Sequence, residues 1–430
     1  MRLFNSTVPE LHHSTHTVGL RTHSNGVVPL SSFATPLIPP YYGNPLLFNG
    51  HLQTAWTVTK FGDPFTIHYA RRHFVHPVDG GHFAVDFVVP AFPESESPDD
   101  LPVRTRHMAP EDRAAHDKGT EDTRPMLVAL HGLSGGSHEV YLRAMLHGLL
   151  AGPGGDEWEA CVINARGCAM SSISSKQLFN ARWTADLREV VKFLRKTFPN
   201  RPLYAIGFSL GANILTNYLG EEGESCGLVA AVVCSNPWQL DVSHKALMRS
   251  WVGKEVYSKV MAANMRRLFE SHIDQLSLDE RIDVEAVRNS VYLHEFDREI
   301  TAKVFGYPTV GAYYRDASST DKLLKVRVPM LVVHAKDDPI AVEEAVPYDE
   351  AKANPYVFMV VTEGGGHLSW FETGGGRWFA KPISNFLNAF AKDVIEVVPP
   401  SADDTPDTPV VIGGVPQDGL LDIAQLKKME

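Results

Sequence analysis

Residues 201–219 constrain the fold more than any other stretch, because they combine a strand, a tight turn and a helix around one serine. The stretch reads RPLYAIGFSLGANILTNYL, with an apolar run before the pentapeptide GFSLG and helical spacing after it. A serine between such glycines is typical of a strained strand-to-helix turn that exposes the hydroxyl. A Cβ at either glycine would collide with the neighbouring strand or helix. Ser209 is therefore the candidate nucleophile, and an ordinary tight turn is the alternative.

The size and charge of the chain exclude several classes of protein. With 430 residues, 44% of them hydrophobic, the chain can bury a large core and is not a disordered or fibrous protein. The net charge is −11 and no cluster of Lys and Arg follows the spacing of a phosphate backbone. We therefore expect no nucleic-acid partner.

Cysteine spacing and hydropathy predict the environment of the protein. The four cysteines lack the spacing of a zinc site or redox motif, so buried thiols in a reducing compartment are expected. The N-terminal residues lack the apolar core of a signal peptide, and no run reaches the ~20 apolar residues of a membrane span. An intracellular protein is predicted, cytoplasmic or peripherally associated with a membrane or lipid droplet. The sequence does not indicate its oligomeric state.

Short apolar strands alternate with helices through much of the chain. Such alternation predicts an α/β fold with a mostly parallel sheet and helices on both faces. Upstream, residues 65–69, 73–76 and 82–89 alternate as strands do around an Asp-Gly-Gly turn, so the sheet should start antiparallel. The predicted buried strands are residues 126–130, 160–164, 203–206, 228–234, 330–334 and 357–361, and the predicted helices between them include residues 141–150 and 184–198.

Composition divides the chain into a central domain and attachments. Residues 41–396 form the predicted domain, residues 1–40 a loosely packed N-terminal extension, and residues 397–430 a C-terminal tail with a short helix at 420–429 as an option. Within the domain, residues 93–124 are polar and predict a solvated, nearly disordered insertion. Residues 237–325 predict a helical cap, with helices at 247–269 and 284–296. A closing helix is expected over residues 381–397.

A serine hydroxyl needs a base, and the base needs a third group that fixes its tautomer. Both candidates follow the serine, each after a predicted strand. Asp337 and Asp338 come after residues 330–334, and His367 follows residues 357–361 and a run of glycines. The acid is either aspartate; Asp338 is preferred, with Asp337 as a carboxylate that caps the loop.

The negative oxygen of a tetrahedral intermediate needs two backbone N–H donors. The residue after the nucleophile, Leu210, supplies the first. The second is expected from Leu133 in the loop HGLSGG, in which His131 has a structural role. The loop NARGC at residues 164–168 should lie beside the pocket, supported by Asp186. Spacings typical of metal sites are missing from the sequence, so neither a metal nor another cofactor is expected.

These motifs together resemble those of the α/β-hydrolases, and more narrowly the AB hydrolase 4 family. That family includes YheT-type hydrolases, animal relatives described as phospholipases, and yeast medium-chain fatty acid ethyl ester synthase/esterases. The resemblance extends from residue 44 to residue 391. It rests on GFSLG, HGLSGG, NARGC, DDP and GGH in this order, and on NPLLFNGHLQT, EFDREIT and YYRDAS. It implies a triad of Ser209, Asp338 and His367.

The leading hypothesis is a serine hydrolase or acyltransferase that acts on an apolar, medium-chain or lipid acyl ester through an acyl-Ser209 intermediate. The acyl acceptor would be water or an alcohol. Alternatives are a catalytically inactive scaffold that binds a lipid or protein, and an enzyme that uses acyl-CoA, with cap residues Arg249, Lys254, Arg266 and Arg267 near the nucleotide. The cap also has apolar residues that can line an acyl pocket or, equally, pack the cap onto the core: Leu247, Met248, Trp251, Val252, Met261, Met265, Leu268 and Phe269.

Overall fold

The computed structural model describes residues 7–58, 64–152 and 154–400. These residues form two sheets. The strands are Glu10–His13 (β1), Gly19–Thr22 (β2), Gly26–Pro29 (β3), His68–Val75 (β4), His82–Val89 (β5), Thr105–His107 (β6), Met126–Leu130 (β7), Glu159–Asn164 (β8), Leu203–Phe208 (β9), Ala230–Cys234 (β10), Met330–Ala335 (β11), Val357–Thr362 (β12) and Val394–Val398 (β13).

Helices connect and cover the strands. The longer α-helices are Gly50–Val58, Pro110–Lys118, Val140–Leu150, Ala185–Thr197, Leu210–Glu222, Leu240–Arg249, Lys259–Ser271, Val310–Ala317 and Ala380–Asp393. Short α-helices are Leu30–Ala34, Ile273–Leu276, Val284–Arg288, Leu293–Phe296, Ala302–Val304, Thr320–Leu323 and Tyr348–Ala353. Two π-helical segments are Gly253–Ser258 and Asp297–Thr301, and short 3-10 turns are Thr35–Leu37, Glu94–Glu96, Gly155–Glu157, Gly223–Ser225 and Glu343–Ala345.

The large sheet has ten strands in the order β1-β12-β11-β10-β9-β7-β8-β5-β4-β6. The six strands from β12 to β8 are parallel to one another, whereas β1 pairs antiparallel with β12, and β5 pairs antiparallel with both β8 and β4. The predicted α/β class, with a mostly parallel sheet and antiparallel N-terminal strands, is confirmed. Residues 65–76, predicted as two strands, contribute the single strand β4.

The core lies on both faces of the parallel strands. Every residue of β7, β9, β10, β11 and β12 is buried, as expected for strands covered by helices on both sides. Helices Val140–Leu150 and Ala380–Asp393 pack on one face, and helices Ala185–Thr197 and Leu210–Glu222 on the other. The four cysteines are free thiols, three of them buried.

The N-terminal residues are not a loosely packed extension, so this description was wrong. β1 pairs antiparallel with β12 and closes one edge of the large sheet, while β2, β3 and β13 form a separate three-stranded sheet. Val18 and Leu30 are fully buried. Each of the first three strands has four residues, too few to display a period in the sequence. The domain limits themselves stay predictions.

The polar insertion at residues 93–124 is also ordered, contrary to the prediction of near disorder. It adds the edge strand β6, parallel to β4, and the helix Pro110–Lys118. Ion pairs attach it to the domain: Arg201 binds Asp122 at 2.7 Å and Arg72 binds Asp117 at 2.6 Å. Backbone pairing and charge hold the insertion, and neither is visible to an analysis of hydrophobic residues.

The cap and the C-terminal region differ from the predictions in where helices end. Every regular element between residues 237 and 325 is helical, but each of the two predicted cap helices is interrupted. The predicted closing helix stops at Asp393, where the β-branched run of β13 pairs with β2. Residues 401–430, including the optional helix at 420–429, lie outside the described residues. Among the described helices, none is long and apolar enough to cross a membrane.

Candidate active site

The candidate catalytic residues follow parallel strands whose carboxyl ends meet at one edge of the sheet. Ser209 directly follows β9 and has φ of +52° and ψ of −117°, a strained conformation for a residue with a side chain. A Cβ on Gly207 would lie 2.4 Å from the carbonyl oxygen of Gly211, and one on Gly211 would lie 2.5 Å from that of Leu130. The strand and the helix therefore approach each other too closely for any other residue at these two positions.

The structure brings the three predicted side chains into one hydrogen-bonded chain. His367 Nε2 lies 2.8 Å from Ser209 Oγ, and His367 Nδ1 lies 2.8 Å from Asp338 Oδ2. Ser209 and His367 are each 9% exposed and Asp338 is 3% exposed. With Nδ1–H donating to the carboxylate, Nε2 is left as an acceptor for the serine hydroxyl. The arrangement can remove the proton from Ser209 as the hydroxyl oxygen attacks.

The two neighbouring aspartates have different environments. Burial disfavours the charge of Asp338, but the attraction and the hydrogen bond to His367 hold its pKa below the usual value. The backbone N–H groups of Ile340 and Ala341 both donate to its Oδ1 at 2.8 Å. Burial raises the pKa of Asp337, which accepts the N–H of Gly366 at 2.8 Å. Asp337 thus caps the histidine loop and Asp338 contacts the histidine ring.

The loop after β7 lies directly against the serine. A Cβ on Gly132 would be 3.3 Å from the Cβ of Ser209, and the N–H of Gly132 donates to the hydroxyl of Tyr141 at 2.8 Å. Within the part of the chain that the structure describes, the N–H of Leu133 makes no hydrogen bond. It is free to donate to a substrate oxygen, as is required of one half of an oxyanion hole. Leu210, the predicted other donor, is the first residue of its helix.

His131 connects the loop after β7 to the loop at residues 164–168. Its Nδ1 lies 2.6 Å from the carbonyl oxygen of Gly132, and its Nε2 accepts the N–H of Ala165 at 3.0 Å. Burial lowers its pKa to about 4, which keeps the ring neutral. Asp186 binds Arg166, which lies in the loop at residues 164–168, at 2.7 Å. These contacts agree with structural roles for His131 and Asp186.

A buried ion pair that the sequence did not reveal supports the same loops. Arg71 binds Asp86 through two hydrogen bonds of 2.7 and 2.8 Å, with both side chains fully buried. Asp86 Oδ2 also accepts from Ser137 at 2.6 Å and from Asn164 at 2.8 Å. The β4–β5 hairpin therefore fixes both loops. A buried pair with every oxygen satisfied is costly to break.

The helix Gly50–Val58 holds the histidine loop from the opposite side. Thr54 Oγ1 accepts the backbone N–H of His367 at 2.9 Å, and Gln53 Oε1 accepts that of Phe371 at 2.9 Å. A Cβ on Gly50 would lie 1.8 Å from the carbonyl oxygen of Asp337, so this helix packs backbone to backbone on the acid loop. The last residues of the sequence NPLLFNGHLQT therefore position the histidine loop.

Thr54→Val should lower kcat about 10- to 100-fold with little change in KM. Valine has the shape of threonine but leaves the buried N–H of His367 without an acceptor, which allows the imidazole to shift from Ser209. Ester hydrolysis by Thr54→Val and Thr54→Ser measures the effect. The serine variant keeps the oxygen and should retain most of the activity. Equal loss in both variants would contradict the role of the hydroxyl.

Two cavities meet at Ser209. Cavity A, about 910 Å³, is the wider one, and its lining includes His367, Thr54 and Met170. Cavity B, about 110 Å³, extends under the cap and is not lined by His367. The residues that line both cavities are Leu133, Ser209, Met261 and Ile340. The junction gives room for the two halves of an ester on either side of the serine.

Of the eight apolar cap residues predicted to line a pocket, only some do so. Met261 lines both cavities, Leu247 and Met265 line cavity B, and Leu268 lines cavity A. Trp251 instead points outward, 74% exposed, and Phe269 is fully buried in the core of the cap. Helical spacing alone could not separate the side facing the cavity from the side facing the core.

Comparison of the sequence with protein families agrees with the fold. Residues 125–373 match the family described as alpha/beta hydrolase fold. The chain belongs to the α/β-hydrolase family. This matched segment contains Ser209, Asp338 and His367. In this α/β-hydrolase, the helices of the predicted cap lie between β10 and β11.

Several curated proteins are similar to this α/β-hydrolase over most of its length. It is 37% identical to the monoacylglycerol lipase of Saccharomyces cerevisiae over 370 residues, which cover 81% of this chain and 80% of that protein. It is 30% identical to medium-chain fatty acid ethyl ester synthase/esterase 2 of the same yeast, and this match covers 91% of this chain and 96% of that protein. The putative esterase YheT of Escherichia coli is 30% identical, and this match covers 62% of this chain and 77% of that protein. These relatives support hydrolase activity of the lipase or esterase type.

Proposed function

We propose that this α/β-hydrolase cleaves carboxylic esters through an acyl intermediate on Ser209, with His367 as base and Asp338 as its partner. The observation that carries the proposal is the continuous contact from Asp338 to His367 to Ser209, 2.8 Å at each step, at the junction of two cavities. A structural serine in a tight turn requires neither the aligned histidine nor the free space beside it.

The reaction follows from the positions of these atoms. His367 Nε2 takes the proton of Ser209 while Oγ attacks the acyl carbon, and the N–H groups of Leu133 and Leu210 stabilise the negative oxygen. Collapse of the tetrahedral intermediate breaks the bond to the alcohol oxygen, which receives the proton from His367. Water or a second alcohol then attacks the acyl-serine by the reverse sequence.

The location of His367 orients the ester in the two cavities. The leaving alcohol must lie within reach of Nε2, because this nitrogen delivers its proton. His367 lines cavity A and not cavity B. The alcohol half is therefore assigned to cavity A and the acyl half to cavity B.

The small volume and apolar lining of cavity B favour a medium-chain acyl group. Leu247, Met265 and Leu293 give it an apolar lining, and its volume is about 110 Å³. Apolar groups gain free energy from leaving water, so an aliphatic chain should enter. The yeast relatives named for monoacylglycerol and for medium-chain fatty acid ethyl esters fit a lipid acyl ester. Whether water or an alcohol accepts the acyl group depends on how far cavity A excludes water.

An acyl-CoA substrate is less consistent with the cap. Arg249 pairs with Glu344, Lys254 with Glu255, and Arg266 donates to the carbonyl oxygen of Ser290. Of the four cations considered for the nucleotide, Arg267 lines cavity A. A catalytically inactive scaffold would not need the aligned triad. Neither alternative is favoured by a specific contact.

Hydrolysis of p-nitrophenyl acyl esters of increasing chain length tests the proposal. The value of kcat/KM should rise and then fall, because cavity B fills, and added ethanol should divert part of the acyl product into ethyl ester. The phosphate ester of p-nitrophenol, which has no acyl carbon, should remain intact and serves as the control. Inertness toward every acyl ester would contradict the function, and a flat response to chain length would contradict the medium-chain assignment.

A further inference from the structure

Cavity B is not apolar throughout. Ser243, His244, Asp297, Thr301 and Tyr314 also line it. Tyr314 donates its hydroxyl to Asp297 Oδ2 and Thr301 donates to Oδ1, both at 2.8 Å. The rings of His244 and Tyr314 lie 5.5 Å apart. These five side chains, the polar cluster, belong to the cap and take no part in the chemistry at Ser209.

The polar cluster leaves hydrogen-bonding capacity unused. Ser243 is 5% exposed, and within the described part of the chain its hydroxyl has no partner. Asp297 is 8% exposed and forms no ion pair with a described residue, and burial raises its pKa to about 6. A carboxylate has about four acceptor positions, and two are occupied. Because buried polar groups in proteins are normally satisfied, a ligand is the expected partner.

The local backbone supports this interpretation. Asp297 and Thr301 are the first and last residues of a π-helical segment, and Ser258, which also lines cavity B, ends the other π-helical segment of the cap. A π-helical segment inserts one residue into an α-helix and changes the direction of the side chains around it. Such segments are frequent at functional sites. Both segments direct polar residues toward the same cavity.

We propose that the polar cluster is a subsite for a hydroxyl group of the substrate, carried by the acyl chain. The inference rests on the proposed function, which assigns the acyl half to cavity B. A hydroxyl both donates and accepts, so its chemistry matches the free acceptor positions of Asp297 and the unpartnered hydroxyl of Ser243, which line the same cavity. An anionic group would be repelled by Asp297. A hydroxylated fatty acyl ester is therefore the substrate class that this cavity fits.

The test compares three kinds of p-nitrophenyl ester with the same medium acyl chain length. The first ends in a methyl group, the second carries a hydroxyl at one of several successive chain positions, and the third carries an ammonium group. For at least one hydroxyl position the wild-type kcat/KM should exceed that of the methyl ester about tenfold, the effect of one or two hydrogen bonds to buried groups. Ser243→Ala and Asp297→Asn should each lower this hydroxyl-to-methyl ratio severalfold, up to about tenfold. Ser225→Ala removes an exposed hydroxyl elsewhere and should leave the ratio unchanged.

Ser243→Ala keeps the test decisive if Asp297→Asn fails to fold, since the removed hydroxyl bonds no described residue. A ratio of one or less at every position, or a preference for the ammonium, would overturn the proposal. A glycerol monoester arm identifies the source of the hydroxyl: if Ser243→Ala lowers only the glycerol-to-ethyl ester ratio, the hydroxyl belongs to the alcohol half, and the proposal of a hydroxylated acyl chain is overturned.

Failure of the proposed function would be recognised separately, as inertness toward all the esters. In that case, calorimetry with the free hydroxy acid and the methyl-terminated acid decides. Tighter binding of the hydroxy acid, weakened by Ser243→Ala, supports the subsite. Equal binding of the two acids overturns it.

Discussion

Asp338→Asn should lower kcat for ester hydrolysis by about 10⁴-fold, as loss of the acid does in other serine triads. The reason lies in the two N–H groups of Ile340 and Ala341, which both donate to Oδ1. In the variant, these N–H groups would hold the amide oxygen of the new asparagine at the position of Oδ1. Its NH₂ group would then occupy the position of Oδ2, next to His367 Nδ1. The histidine would then carry its proton on Nε2, where it cannot accept that of Ser209.

Asp337→Asn is the matched control, because it makes the same change one residue earlier. Asp337 accepts an N–H from Gly366, and an amide oxygen can accept it equally well. We expect this variant to retain kcat within about threefold. The carboxylate of Asp338 still accepts the Nδ1–H of His367, so the tautomer of the histidine does not change. Steady-state rates of both variants on the best p-nitrophenyl ester decide. Similar losses in the two variants would contradict the assignment of Asp338.

Ser209→Ala should lower kcat/KM by at least about 10⁴-fold, which is the largest effect in this account. The fold should persist, because the turn is held by backbone bonds: the N–H of Ser209 donates to Cys234 and that of Asn213 to Ser209. Alanine also tolerates the turn as well as serine does. Circular dichroism and thermal melting verify the fold of the variant before rates are compared.

The parts of the fold that the sequence predicted are those with strong local signals. β7, β9, β11 and β12 are short, largely apolar and followed by turn residues, so their positions and order were visible. Because parallel strands place their carboxyl ends at one edge, the residues that follow them were expected to meet. The predicted triad side chains do lie together for this reason.

The parts that the sequence did not predict depend on contacts between distant segments. Thr54 and His367 are 313 positions apart, and no local pattern distinguishes Thr54 from any other threonine. The strands β1 to β3 have four residues each, and β1 and β2 pair with β12 and β13, near the other end of the chain. Likewise, the charges that attach residues 93–124 resemble those of a solvated loop until their partners are known.

The cap shows the same limit on a smaller scale. Its helices were predicted from apolar spacing, but the residues that face cavity B include polar ones that such a pattern does not identify. Asp297 lies in the motif EFDREIT, which contributed to the family resemblance without indicating burial. The π-helical segment shifts the register of the side chains, and a spacing analysis based on 3.6 residues per turn cannot anticipate that shift.

The most direct test of the central claim is the mass of the enzyme during turnover of a slowly deacylated ester. We predict that wild type gains the mass of one acyl group, and that fragmentation locates it on Ser209 within residues 201–219. Ser209→Ala should gain none. Hydrolysis at full rate without an acyl adduct, or an adduct on another residue that persists in Ser209→Ala, would contradict the account.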